Sequence, residues 1–160
     1  MIQDKPTREK VEKLHPKIRP ELEQIIQECD RALTGRAKLR ITQGYRTIAE
    51  QNALYAQGRT KPGKRVTNAR GGSSVHNYAL AVDMALIIDG KSASWDVKAD
   101  WDGDKQADWM EVVLIFKRHG WEWGGDWRTF RDMPHFQKTF GHSVQSLKNL
   151  RKDAEGYVII

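Results

Sequence analysis

Cysteine is nearly absent from this chain of 160 residues: Cys29 stands alone. One cysteine excludes an internal disulfide and any zinc site built on paired thiolates, so a metal held here must take histidine and carboxylate ligands. Long apolar runs are missing as well. No window approaches the roughly 20 apolar residues that a membrane-spanning helix needs, and the opening stretch MIQDKPTREKVEKL lacks the apolar centre of a signal peptide. The expectation is a chain made in the cytoplasm without a signal peptide or a membrane span. Repeats and low-complexity segments are also missing. What the chain has in excess is positive charge, with 27 Lys and Arg against 21 Asp and Glu and a formal net charge of +6. That sign suits an anionic partner: nucleic acid, an acidic membrane surface or a cell-wall polymer. At 39% hydrophobic content the length fits one domain over residues 1–160 with a real core, and nothing calls for more than a monomer.

Helical spacing of Leu14, Ile18, Leu22, Ile25, Ile26 and Leu33 predicts helix over 7–34 in two pieces, with Pro16 and Pro20 breaking or restarting the pattern and Gly35 as the stop. LRITQ (39–43) alternates like a strand, Gly44 turns it, and Thr47 with Glu50 makes a capping box for the next helix. Arg46 thus falls at a strand-to-helix junction. Residues 59–74 are basic and glycine-rich with no apolar period, the mark of a long loop, here one that delivers the chain to His76. In LAVDMA, Leu80, Val82 and Met84 alternate with Ala81, Asp83 and Ala85, which predicts a strand and puts Asp83 on a face carrying only alanines. A carboxylate there needs a cation or donors. Asp89-Gly90 predicts a hairpin turn followed by an extended piece through Trp95; a helix is expected over 105–119, short strands at 121–125 and 135–140, and a last helix capped by Ser143. The sum is an α+β domain with a small, mainly antiparallel sheet flanked by helices.

A catalytic zinc needs three converging donors and a fourth position for water. His76 and Asp83 supply two. His135 is the third candidate, and Asp132, three residues earlier and stiffened by Pro134, suits a general base beside the metal. Spacing alone leaves this open, because a lone histidine is more often a hydrogen-bonded structural residue than a ligand. His142 is a weaker rival for the third position; His15 and His119 read as structural. The acidic run DWDGDKQADWME places Asp100, Asp102, Asp104, Asp108 and Glu111 at the ligand spacings of a calcium loop, yet Lys105 stands where that loop needs glycine. An acidic helix start is the simpler reading, with calcium the alternative.

The pattern Ser74-x-His76-x-x-Ala79-x-Ala81-x-Asp83 resembles the signature S-x-H-x-x-G-x-A-x-D of the zinc peptidases that include VanY-type and VanX-type D-alanyl-D-alanine peptidases and the L-alanyl-D-glutamate endopeptidases of bacteria and phages. GRTKPGKRVTNARGGSSVHNYALAVD and WEWGGDWRTFRDMPHFQ are similar to the CwlK-like endopeptidase branch, and the likeness runs over about 10–140. The resemblance implies a hedgehog/D-Ala-D-Ala-peptidase-like fold and one zinc held by His76, Asp83 and His135. It further implies Asp132 as base, Arg46 on the scissile carbonyl or a substrate carboxylate, Ser74 beside the substrate, and bacterial peptidoglycan as partner rather than nucleic acid. Such an enzyme would act on the cell wall in phage lysis or by way of non-classical export. Ala79 replaces the signature glycine, at a cost of about 1–2 kcal/mol if the position requires a positive φ. Two alternatives stand beside the endopeptidase: a D-alanyl-D-alanine carboxypeptidase, and a non-catalytic basic protein that binds cell wall or nucleic acid, for which the six tryptophans would offer stacking surface.

Overall fold

The computed structural model describes residues 1–160. Helix α1 (Lys5–Val11) is capped by Asp4, whose carboxylate accepts from the Thr7 backbone, and α2 (Arg19–Ala32) starts with Pro20 in its first turn. Pro20 therefore opens the second helix, because its missing N–H and fixed φ cost nothing there. The expected strand after Gly35 is β1 (Ala37–Gln43); α3 (Ile48–Ala56) follows, with Thr47 Oγ1 accepting from the Glu50 amide at 3.0 Å. A 3₁₀ turn at Val75–Tyr78 leads into β2 (Ala81–Ile88). Asp89 (φ 54°) and Gly90 (φ 68°) then reverse the chain into β3 (Ser92–Ser94), two successive left-handed residues that match the twist of a hairpin.

The remaining elements are α4 (Asp108–Arg118), β4 (Glu122–Trp123), β5 (His135–Gln137) and α5 (Val144–Asn149), capped by Ser143. α4 starts three residues later than its apolar period suggests. The segment before it folds onto its own amides: Gly103 and Lys105 donate to the Asp100 carboxylate, and Gln106 to Asp104. Asp100, Asp102 and Asp104 are thus loop residues, and only Asp108 and Glu111 lie in the helix's first turn. β5 ends at Gln137, shorter than the alternation through Phe140 suggests.

All strand pairings are antiparallel, in the order β1-β2-β5-β4 with β3 on β2. β2 is central, and its Leu80/Val82/Met84 side is fully buried, as the alternation predicts. One apolar cluster joins that side to Leu22, Ile25 and Ile26 of α2, Trp109, Val112 and Phe116 of α4, and Phe136 of β5. The C-terminal segment lies against the turn between the first two helices: Val158 is buried and its carbonyl meets His15 Nε2 at 2.7 Å. His15 is structural, as expected. His119 meets Glu28 at 2.9 Å at the end of α4, and Trp109, Trp121 and Trp123 are buried. No helix is long and apolar enough to cross a membrane.

Candidate metal and catalytic site

Sheet register makes the first contact. Antiparallel pairing of β2 with β5 sets Asp83 directly opposite His135, so two residues 52 positions apart in sequence become cross-strand neighbours on one face. His76 arrives from the 3₁₀ turn, which Ser74 and Asn77 close by a reciprocal capping box. Asn77 also donates to the carbonyl of Arg46, and the Arg46 amide donates to that of His76, so the two loops are tied together. One ligating atom from each of His76, Asp83 and His135 lies within 4.8 Å of the others.

Hydrogen bonding decides what these atoms present to one another. His76 Nδ1 is 2.8 Å from the carbonyl oxygen of Gly44, which can only accept, so that nitrogen carries the proton and Nε2 offers a lone pair. His135 Nε2 is 2.8 Å from Gln137 Oε1, which turns Nδ1 into the lone-pair atom. Both lone pairs face the same oxygen, Asp83 Oδ1, each at 3.3 Å. With both imidazoles neutral, three acceptors converge without a donor among them, on side chains that are 3% (His76), 18% (Asp83) and 7% (His135) exposed. Such an arrangement is stable only around a positive charge, and neutral imidazoles oriented by outer hydrogen bonds are how proteins prepare histidines for a metal. The donor set, two nitrogens and a carboxylate with no thiolate, fits a divalent transition metal with an open position. The same hunger for positive charge shows in the titration. Burial works against the Asp83 carboxylate, yet His135 and His76 hold it well below the usual range. Burial would likewise lower His135, yet Asp83 raises its affinity for a proton.

Asp132 and Arg46 flank the cluster. Asp132 Oδ2 stands 3.8 Å from His135 Nδ1 and remains 45% exposed on the open side. Partial burial first, then the negative charge of Asp83, lifts its carboxyl above the usual range. Its position is fixed by the backbone: its amide donates to Gly124, and a side chain at Gly124 would collide with the Asp132 carbonyl. Arg46 Nη2 is 3.5 Å from Asp83 Oδ2 while Nη1 donates to Gln51 at 2.9 Å. His142 is absent from the cluster; it bonds Ser146 within its own turn at 2.7 Å. Ser74 Oγ is engaged by the His76 amide. Ala79 adopts φ 59°, so the glycine of the signature is replaced where the backbone does need the left-handed region.

Three contributors escaped the sequence reading. Gln137 was marked by its place two residues after His135 on the same face of a strand. Gly44, whose carbonyl fixes His76, and the fully buried Gln51, which holds Arg46 and also donates to the Ala69 carbonyl, carry no such signal. A cleft of about 570 Å³ opens beside Asp132, lined by Arg65, Arg131, Trp127 and Phe130 among others. A larger cavity of about 760 Å³ lies on the far side of the Gly44–Tyr45 turn, and no member of the cluster lines it.

Residues 67–138 match a family model described as D-alanyl-D-alanine carboxypeptidase. The matched stretch contains all of His76, Asp83, Asp132 and His135. Over 97 residues the chain is 53% identical to the peptidoglycan L-alanyl-D-glutamate endopeptidase CwlK of Bacillus subtilis strain 168, a match spanning 61% of this chain and 58% of that protein. The chain thus matches a little under three fifths of that relative's length. Its fold is similar to that of the Serratia marcescens L-Ala D-Glu endopeptidase ChiX, with a TM-score of 0.56 at 22% identity over 85% of this chain and 88% of the other.

Proposed function

We propose that the protein is a zinc-dependent peptidase that cuts the stem peptide of bacterial peptidoglycan between L-alanine and D-glutamate, with His76, Asp83 and His135 as the zinc ligands. The observation that carries the reading is the convergence of two oriented imidazole lone pairs on one buried carboxylate oxygen, inside a stretch that the peptidase family model matches. Bound there, zinc supplies a Lewis acid for the peptide carbonyl and lowers the pKa of a water from about 16 to about 7.

The chain's own groups do the rest. Asp132, open to the cleft and beside the cluster, takes the proton of the attacking water and returns it to the leaving amine. Arg46 keeps a guanidinium next to the cluster, where negative charge develops on the carbonyl oxygen, and Gln51 holds it there so that little reorganisation accompanies the reaction. Arg65 and Arg131 make the adjoining cleft attractive to an acidic peptide.

The description of the family model supports a second reading, a D-alanyl-D-alanine carboxypeptidase. The 53% identity to an L-alanyl-D-glutamate endopeptidase favours the first. Purified peptidoglycan incubated with the zinc-loaded protein separates them: new N-terminal D-glutamate is expected, whereas release of free D-alanine selects the carboxypeptidase. Binding of the polymer with no new terminus of either kind would leave a non-catalytic binding protein. Asp132→Asn should retain zinc and lose about 10²–10⁴-fold in cleavage rate; undiminished cleavage would remove Asp132 from the role of base.

A further inference from the structure

A second group of ligating side chains lies outside this site, at the start of α4. Asp100, Asp102 and Asp108 bring carboxylate oxygens within 4.8 Å of one another, and so do Asp102, Asp104 and Glu111, the two trios sharing Asp102. Acidic residues often cluster on surfaces without a ligand, but two members of this group are not surface groups. Asp108 is fully buried; one of its oxygens accepts from the Trp101 amide at 3.0 Å, and the other, Oδ2, is sealed from solvent with no donor. Glu111 Oε2 is likewise buried without a partner. No lysine or arginine forms an ion pair with any of the five carboxylates. A buried carboxylate oxygen with no donor is costly unless a cation or a proton compensates it.

We propose that the loop Asp100–Glu111 is a calcium-binding site. Hard oxygen donors with no nitrogen or sulfur suit Ca²⁺, which takes six to eight of them in flexible geometry, whereas Mg²⁺ requires a small octahedron and keeps most of its waters. Asp100, Asp102, Asp104, Asp108 and Glu111 occupy positions 1, 3, 5, 9 and 12 of a twelve-residue calcium loop, and the backbone carbonyl of Gln106 falls at position 7. Position 6, normally glycine, is Lys105, and its backbone adopts φ 70° with its amide donating to the Asp100 carboxylate at 2.9 Å. Lysine has therefore replaced the glycine residue without displacing the sharp turn the glycine serves. The loop is entered from β3 rather than from a helix, and it leaves through α4. Calcium would join the first turn of α4, which packs on α2 and β4, to the loop that precedes it.

The test is calorimetric titration of the zinc-loaded protein with calcium chloride, paired with thermal melts in calcium and in magnesium. Keeping zinc in place closes the histidine cluster to the titrant. One calcium per chain is expected, and at one hundred times Kd a rise in melting temperature of about 5–10 °C. Magnesium at the same concentration should give a smaller shift. Glu111→Gln, close in shape and free of one charge, should fold, keep its zinc, and bind calcium at least about tenfold more weakly; Asp104→Asn serves as the second variant should that one be unstable. Absence of heat and of any melting shift with calcium would overturn the proposal. So would an equal response to magnesium, or a calcium affinity unchanged in both variants.

Discussion

The histidine cluster and the acidic loop both gather ligating atoms, but by opposite means. At the first, Asp83 and His135 meet because two strands pair in a particular register, His76 joins from a 3₁₀ turn, and each imidazole is turned by a partner outside the cluster. At the second, all five carboxylates come from one run of twelve residues, and the partners that shape the run are its own backbone amides. The first site is rigid because the sheet is rigid. The second is shaped by local turns and left with uncompensated charge. Preorganisation of that kind suits a metal doing chemistry, whereas a deformable oxygen cage suits a cation that stabilises structure.

If outer hydrogen bonds prepare the first site, removing one should weaken the metal without touching a ligand. Gln137→Leu deletes the acceptor of His135 Nε2–H while keeping the volume of the side chain. Zinc affinity is expected to fall about 10–100-fold, measured by competition with a chromogenic chelator, with the fold retained. An unchanged affinity would mean that the strand alone orients His135. The acidic loop offers no close counterpart, because its shorter hydrogen bonds come from its own backbone amides and the one side-chain donor from outside, Thr34 Oγ1, reaches Asp102 only at 3.4 Å.

The difference also sets how much of each site was readable in the chain. The calcium-loop spacing is local, so the five acidic positions were visible at once; the obscuring feature was Lys105, because sequence cannot say that a lysine will accept φ 70°. The histidine cluster was legible through two motifs that resemble a known family, and spacing alone left it open, since 52 residues and a sheet register separate Asp83 from His135. Strands, caps and the Asp89-Gly90 turn followed from period and turn chemistry. The start of α4 did not, because aspartates that fold back on their own amides compete with a helix for the same residues. Gln51 was invisible for a related reason: its role depends on a loop that passes over it, not on its neighbours in sequence.

Charge balance offers a second way to sharpen the contrast. Without calcium, burial first, then the side chain of Asp104 and the negative charges of Asp102, Asp104 and Asp108, push the Glu111 carboxyl up to about 8. A group whose folded pKa is raised above its unfolded value of about 4.3 contributes stability below that value and loses it as pH rises through the folded one. In calcium-free, zinc-containing buffer the wild type should therefore lose stability between about pH 5 and 8 relative to Glu111→Gln. Saturating calcium should erase that difference. In zinc-free buffer the carboxylate of Asp83 is held down instead of up, so there its contribution has the opposite slope: present above about pH 4 and lost below it. Urea denaturation of both proteins at several pH values reads the two signs separately, and parallel curves for wild type and Glu111→Gln would mean that the loop's carboxylates do not repel one another in the folded state.

The smallest expected effects come from the two left-handed residues, one at each site. Ala79 (φ 59°) sits between His76 and Asp83, and Lys105 (φ 70°) turns the acidic loop. Glycine relieves about 1–2 kcal/mol of backbone strain at such a position. Ala79 is 1% exposed, so Ala79→Gly also removes a buried methyl worth about 0.8 kcal/mol, and glycine adds freedom to the unfolded chain. The terms nearly cancel there. Lys105 is exposed and buries nothing that glycine would lose, so Lys105→Gly should stabilise the protein by about 1 kcal/mol, or about 2–4 °C in melting temperature, and bring the loop closer to the usual calcium pattern. Equal melting shifts for the two variants would show that the methyl of Ala79 contributes nothing, and with it that packing around the 3₁₀ turn is looser than the burial of His76 implies.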